Sequence, residues 1–436
     1  MRDIETNGFQ FTEKQKYGFE QMLKGKNIFL TGQAGVGKSF ILNQFIQFFR
    51  ENMEDDKNQI YVTSTTGISA LIIGGQTIHR YCGIGTGEKP IDELFKKIMQ
   101  NTKTKKRYLS TKVLIIDEIS MMSPELFDKI DLLFRKVRKC ERPFGGIQLI
   151  VSGDLLQLPP VKADGFIFDA FNWDEVIEET IYLDEVMRQN DNDFIQILNK
   201  IRLGQVDEQV KMVIESRRGI EIHNEYGVMP SRLFSKRDMV KKVNDEELKR
   251  LIEEGETKKE FKCTYEFSKS VKEENQEYMK ALIQENTDVE DELIFTTKCQ
   301  VMLKVNIPEL KLANGSRGII IGFGPVTGYP IVQFLDGRYM EIAPHKWDME
   351  EQRDKVSKIQ IPLQLAFAIS FHKAQGSTLE YVIIDIGRDV FEFGQTYVAL
   401  SRVKSLDGLF ISGSVDYTKI RANPRVLKYY EKLSTK

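Results

Sequence analysis

At 436 residues the chain is too long for one ordinary core, so two to four domains are expected. Its composition, 41% hydrophobic and 29% charged with a net charge of -2, fits a globular enzyme and excludes a wholly basic nucleic-acid binder; any such surface must be a local patch. The scattered Cys82, Cys140, Cys263 and Cys299 argue against structural zinc or a disulfide framework, and Met1–Glu5 lacks a signal pattern, with no apolar run of membrane-spanning length downstream, so an intracellular, membrane-free protein is expected.

The first predicted element is a short helix behind Thr12-Glu13-Lys14-Gln15. Two readings fit. Thr12 and Gln15 form a capping box, or the Gln15 amide, which both donates and accepts, meets the edge of an adenine. An apolar strand, Asn27 to Thr31, then runs into Gly32-Gln33-Ala34-Gly35-Val36-Gly37-Lys38-Ser39, and a helix is predicted from Ser39 to Asn52. Strand, G-x-x-x-x-G-K-S and helix together read as the phosphate-binding loop of a nucleoside triphosphatase. The loop residues Gly32, Gly35, Val36 and Gly37 bring backbone N–H groups toward a β-phosphate at the positive end of the helix. Lys38 places an ammonium on the β- and γ-phosphates, and Ser39 supplies a hydroxyl to Mg²⁺.

Tyr61 to Gly67 reads as a strand entering a hydroxyl-rich turn. Thr65 and Thr66 there suit contacts to a nucleic-acid backbone, or simply close a strand-to-helix turn. His79, one of four histidines, follows. Residues 80–112 break the strand–helix rhythm, and Lys96, Lys97, Lys103, Lys105, Lys106, Arg107 and Lys112 occur with no acid among them. An inserted subdomain with a basic face toward nucleic acid and a solvated helix face are both compatible with this.

Lys112 to Glu118 is an apolar strand ending in two carboxylates, a Walker B element. Asp117 would hold Mg²⁺ and Glu118 would polarise the attacking water. A further strand, Gln148 to Asp154, leads to Gln157, whose amide suits sensing of a γ-phosphate, and to the stiff Pro159-Pro160. Arg188 closes the first half as surface filler or as a phosphate clamp. The acid-rich stretch 245–292 reads as mostly surface helix. Residues 294–345 turn β-rich, with Asn314-Gly315, Thr327-Gly328 and Asp336-Gly337 as hairpin turns, and suggest a small barrel inserted in a larger α/β domain. Strand patterning returns at 363–371 and 381–385, and Gln395 to Val403 has helical spacing that carries Arg402 late in the segment.

In order and spacing these motifs resemble the PIF-one helicases, relatives of RecD in superfamily one. The resemblance rests on Pro143-Phe144-Gly145-Gly146 through Gly153-Asp154-Leu155-Leu156-Gln157-Leu158-Pro159-Pro160-Val161, on Asp117-Glu118-Ile119-Ser120-Met121, on Phe371-His372-Lys373-Ala374-Gln375-Gly376 and on Tyr397-Val398-Ala399-Leu400-Ser401-Arg402, and runs from about Phe11 to Gly413. Val36 stands where many relatives have threonine.

The resemblance implies an α/β fold of two RecA-like, doubly wound parallel-sheet domains, residues 1–184 and 185–436. The first would carry a wedge insertion near 80–112 and the second an SH3-like β-barrel insertion near 295–358. ATP with Mg²⁺ would sit between the domains, Gln15 on adenine and Gly376 lining the cleft. Arg188 and Arg402 would be arginine fingers. Thr65, Thr66, His79, His372 and Lys373 would touch single-stranded DNA. The implied activity is ATP-driven 5′-to-3′ translocation and unwinding at duplex junctions, with G-quadruplex DNA a further substrate, by a monomer or a DNA-induced oligomer. The implied compartment is the cytoplasm or nucleoid of a bacterium, a nucleus, or a viral replication site. A partner-changing phosphate-loop switch has no reason to carry Arg188, Arg402 and the His372–Thr378 loop. A subunit of a nuclease machine would need cutting residues from elsewhere, since no nuclease-type carboxylate cluster stands out.

Overall fold

The computed structural model describes residues 11–52, 59–160, 164–186, 192–220 and 228–434, apart from 235, 288, 308–309, 311, 313, 336, 352–353, 375–378, 380, 388–389 and 404. Chain contacts divide it into two units. One comprises Met1–Val210, Glu392–Ser401 and Ile420–Lys436, and the other Lys211–Phe391 and Arg402–Lys419.

The first unit is built on strands β1 (Ile28–Gly32), β2 (Ile60–Ser64), β3 (Gln76–Thr77), β4 (Val113–Asp117), β5 (Gln148–Gly153) and β6 (Glu179–Leu183). They form one sheet in the order β3-β2-β4-β5-β1-β6, and every pairing is parallel. Parallel strands need covered faces, which is why β1 and β4 are buried along their whole length. Side-chain alternation sorts the two faces. Ile28, Leu30, Ile115 and Ile150 meet Phe19 and Met22 of α1 (Glu13–Leu23) and Ile41 and Phe45 of α2 (Lys38–Asn52). Phe29, Leu114, Ile116 and Val151 pack into a second cluster with Phe127 and Phe134 of the helix Pro124–Arg138 and with Val426 and Tyr430 of the C-terminal helix Pro424–Ser434.

Helix α2 is rich in Phe and Ile, which cost up to about 0.7 kcal/mol each in intrinsic propensity. Burial of Ile41, Leu42, Phe45, Ile46 and Phe49 outweighs this, at roughly 1.5–3 kcal/mol per side chain. Between β3 and β4 the basic stretch forms the helices Ile91–Gln100 and Thr102–Ser110, anchored in the second cluster by Leu94, Ile98 and Tyr108. Lys96, Lys97, Lys103 and Lys106 remain exposed. The Pro143–Gly146 turn keeps Phe144 at φ 49° with its ring fully buried, and a Cβ on Gly145 would lie 2.7 Å from the Phe134 carbonyl oxygen.

The second unit has its own parallel sheet of four strands, β7 (Ser231–Phe234), β18 (Ala368–Ser370), β19 (Val382–Asp385) and β20 (Leu409–Ser412), in the order β18-β7-β19-β20. Between β7 and β18 the chain forms the helices Arg237–Glu253 and Glu273–Thr287, which take up much of the stretch expected to be helical, together with several antiparallel pieces. A five-stranded sheet joins β11 (Gln300–Leu303), β12 (Arg317–Phe323), β13 (Pro330–Phe334), β14 (Tyr339–Glu341) and β17 (Leu363–Leu365). The expected turns at 314–315 and 327–328 lie between its successive strands, and Asp336 of the third expected turn lies outside the described residues. Two strands fall in the stretch expected to be mostly helix. They are β8 (Lys258–Lys262), which pairs with β10 (Glu292–Thr296), and β9 (Thr264–Phe267), which pairs with β16 (Asp354–Gln360), itself joined to β15 (His345–Glu351). The Lys-Lys-Glu-Phe-Lys sequence of β8 is exposed at four of five positions, so it carries no apolar alternation to betray a strand. Among the described residues, no helix is long and apolar enough to cross a membrane.

Candidate nucleotide site

Three consecutive neighbours in the first sheet, β4, β5 and β1, end on the same edge because they are parallel. In open α/β sheets, ligands gather outside these carboxyl ends. Each expected chemical segment starts there: the phosphate loop after β1, Asp117-Glu118 at the end of β4 and the Gln157 turn after β5.

The loop needs its glycines. Gly32 has φ 146°, and a Cβ there would fall 2.1 Å from the Leu183 carbonyl oxygen. Gly37 has φ 84°, and its Cβ would fall 2.6 Å from Gln15 Nε2. Gln15 itself is buried beneath the loop. Its Oε1 accepts the Thr12 N–H at 3.1 Å while the Thr12 hydroxyl accepts the Gln15 N–H, so the capping box forms. Its Nε2 donates to the Val36 carbonyl at 3.0 Å. The same amide therefore caps α1 and holds the loop.

Lys38 opens α2 and curls back, donating to the carbonyl oxygens of Gly32 at 2.7 Å and Gln33 at 2.9 Å. Burial pushes its pKa down, and the charges of Asp154, Glu118 and Asp117 push it back up. Ser39, beside it, is exposed. The Ala34 N–H donates to the Tyr397 hydroxyl at 2.8 Å, which ties the loop to the helix Gln395–Leu400 of the same unit.

Asp117 is buried at the end of β4. Glu118 follows in the left-handed region, at φ 54° and ψ 43°, which costs a non-glycine residue roughly 1–2 kcal/mol. Hydroxyls at the end of β2 and in the turn after it brace this backbone. Ser64 donates to the Asp117 carbonyl at 3.0 Å and Thr65 to the Glu118 carbonyl at 2.8 Å. Thr66 accepts the Ser69 N–H at 3.2 Å and so caps the helix Gly67–Ile72. Both threonine hydroxyls thus have work within the turn. Gln157 is 5% exposed, and among the described residues its Oε1 has no hydrogen-bond partner.

These groups fit a nucleotide carrying Mg²⁺. Ser39 and Asp117 are hard oxygen donors, and the unpartnered Gln157 Oε1, an acceptor, suits a water beside the phosphate rather than the phosphate itself. Among the described residues, no group of three or more His, Cys, Asp or Glu could cage an ion. Magnesium suits such a sparse donor set, because it binds through one or two protein oxygens plus phosphates.

The remaining expected residues are dispersed. His79 lies half-buried in the helix Ile78–Cys82, and burial pushes its imidazole pKa down. His372 and Lys373 belong to the helix Phe371–Ala374 in the second unit. Arg402, also in that unit, is buried and lies beyond the helix that ends at Leu400; its carbonyl accepts the Leu379 N–H at 2.9 Å. Arg188 and Gly376 lie outside the described residues. One cluster beside the loop goes beyond the sequence reading. Asp154, Arg202, Tyr430 and Thr31 form a buried polar network, to which the sequence motifs gave no role.

A model of the PIF1-like helicase family matches residues 10–212. The crystal structure of the Pif1 helicase from Candida albicans superposes with a TM-score of 0.83 at 33% identity, covering 98% of this chain and 100% of that one. The chain belongs to the PIF1-like helicases. An ATP-dependent DNA helicase PIF1 of Danio rerio is 37% identical over 97% of this chain and 64% of its own length, so the chain spans somewhat under two thirds of that curated relative. The Bacteroides Pif1 helicase in complex with ADP-AlF3 and single-stranded DNA superposes with a TM-score of 0.72 at 27% identity, covering 98% of both chains. The two parallel sheets fit the two RecA-like domains of this family.

Proposed function

We propose that this chain is an ATP-dependent DNA helicase that translocates 5′ to 3′ on single-stranded DNA and unwinds duplex junctions. The observation that carries the reading is the convergence of Lys38, Asp117-Glu118 and Gln157 at the carboxyl ends of three adjacent parallel strands in a PIF1-like chain. Lys38 moves from the Gly32 and Gln33 carbonyls to the β- and γ-phosphates of ATP. Gly32, Gly35, Val36 and Gly37 cradle the phosphates, and Gln15 lies against adenine. Ser39 and Asp117 hold Mg²⁺, which when bound neutralises phosphate charge. Glu118 orients the attacking water and Gln157 meets the γ-phosphate.

The finer assignments follow the family. The six-stranded sheet forms the first RecA-like domain and the four-stranded sheet the second, with the boundary expected near residue 184. Arg188 and Arg402 act as arginine fingers, and Gly376 lines the nucleotide site, so that hydrolysis accompanies closure of the domains and translocation follows from cycles of closing and opening. The basic helices within residues 80–112 serve as a wedge and the antiparallel strands near 295–358 as an SH3-like subdomain. Thr65, Thr66, His79, His372 and Lys373 contact the strand, and G-quadruplex DNA is a further substrate. A monomer suffices for translocation, with oligomers induced by DNA. The protein acts wherever its DNA is, in a nucleoid, a nucleus or a viral replication site.

The test is ATP hydrolysis with and without single-stranded DNA, with Lys38→Ala as control. Strong stimulation that the variant loses supports a DNA-dependent motor. Hydrolysis indifferent to DNA favours a nucleotide switch, and normal turnover by Lys38→Ala overturns the phosphate-loop assignment.

A further inference from the structure

Tyr430 stands ten residues into the last returning segment of the first unit, far in sequence from every motif above. Its ring packs in the second core cluster, and the residue is only 8% exposed. Its hydroxyl lies 2.7 Å from Thr31 Oγ1, accepts the Leu155 N–H at 3.0 Å and lies 3.4 Å from Asp154 Oδ1. One arrangement of protons satisfies all three contacts: Leu155 N–H and the Thr31 hydroxyl donate to the phenol, and the phenol donates to Asp154. Asp154 is in turn held by Arg202, whose guanidinium carbon sits 5.1 Å from the centre of the Tyr430 ring. Thr31 and Asp154 are both 0% exposed.

The two backbone segments joined by this one oxygen are the two that carry chemistry on neighbouring strands. Thr31 immediately precedes Gly32, the first residue of the phosphate loop, and β1 pairs with β5 through Thr31 and Gly153. Leu155 begins the turn that ends at Gln157. β-Sheet hydrogen bonds fix the strands, yet they stop where the loops begin. The Tyr430 hydroxyl links the side chain of the last residue of β1 paired with β5 to the backbone just past the end of β5.

We propose that Tyr430 is a positioning residue for ATP hydrolysis: through Thr31 and Leu155 its hydroxyl sets the phosphate loop in register with the Gln157 turn. The role rests on the nucleotide site proposed above. It acts on the alignment of bound phosphate with Gln157 and leaves the binding contacts of the loop in place, so its loss falls on turnover more than on nucleotide affinity.

Tyr430→Phe keeps the ring in the core and removes one oxygen. In the full-length chain with saturating single-stranded DNA, kcat for ATP should fall about tenfold while KM for ATP stays within about twofold. Thr31→Val removes the other side of the contact and should give a similar split, whereas Thr31→Ser, which keeps the hydroxyl, should restore turnover. The double variant should be little worse than either single one, because the two share one interaction. Parental kcat in Tyr430→Phe would overturn the role, as would a KM that rises in step with the fall in kcat, or single effects that multiply in the double variant. Thermal unfolding of each variant separates a loss of folded protein from a loss of turnover; a fall in kcat accounted for by unfolded protein also overturns the role. A parent chain that hydrolyses no ATP would overturn the functional reading itself, and this role with it.

Discussion

Arg202 grips Asp154 through two hydrogen bonds of 2.9 Å, Nε to Oδ2 and Nη2 to Oδ1. Both side chains are buried at the edge of the sheet that carries the phosphate loop. Burial works to raise the Asp154 carboxyl, but the Arg202 guanidinium, with Lys38, holds it below the usual carboxylate value. The pair therefore stabilises the fold above the unfolded pKa of about 3.9, and that stability is lost as pH falls through the lower folded value. Removing one partner leaves an uncompensated charge in the interior. Arg202→Met should lower the unfolding free energy by about 3–5 kcal/mol in urea denaturation, and adding Asp154→Leu should recover most of it. A single variant within about 1 kcal/mol of the parent would show that solvent already screens the pair.

Glu118→Gln should bind ATP as the parent does and hydrolyse it about 10²- to 10⁴-fold more slowly, the range expected when a positioned base is lost. Single-turnover hydrolysis beside nucleotide binding checks this. Glutamine keeps the length of the side chain, so the backbone at φ 54° should not respond. Parental turnover would move the role of base to another residue.

Asp117 titrates in the opposite sense to Asp154. Burial, and then the charge of neighbouring Glu118, push its carboxyl up to about 6. Between about pH 4 and that value the folded chain binds more protons than the unfolded chain, so this group's contribution to stability rises as pH falls through the window. Its destabilising charge is fully present above it. Magnesium binding runs the other way, because protonation removes the oxyanion ligand. The Mg²⁺ concentration that half-saturates ATP hydrolysis should rise about tenfold between about pH 7 and pH 5, and Asp117→Asn should flatten that dependence. A metal requirement constant across this range would remove Asp117 from the metal site.

DNA affinity should fall steeply with salt. Each phosphate neutralised on a single strand contributes a slope of about -0.7 in log affinity against log salt concentration. Titration of a fluorescent oligonucleotide from low to physiological salt measures it. A flat dependence would contradict a groove that tracks the backbone. Lys373→Ala should shrink the slope by about one contact.

What could be read from the sequence was local. The phosphate loop lies within one strand, turn and helix, and the structure has all three within a residue of the expected bounds. Thr12 and Gln15 are three residues apart, so their capping box was visible; that the same amide also holds Val36, 21 residues on, was not. Asp154 and Arg202 are 48 residues apart, and no periodicity links them. β8 was missed because a strand exposed at four of five positions and dense in charge looks like surface helix. The apolar run at 363–371 contains two strands, β17 and β18, which join different sheets, and hydrophobicity alone marks no break between them.

The bond between Thr31 and Tyr430 spans 399 positions of the chain. A ribosome adding roughly 5–20 residues per second needs about 20–80 s to cover that distance. Throughout that interval the loop's strand has been made but its phenolic partner has not. The first unit cannot take its final form as an N-terminal piece while the rest is still being translated. A nascent chain long enough to display the whole G-x-x-x-x-G-K-S sequence thus still lacks the segment Ile420–Lys436 that completes the unit around it.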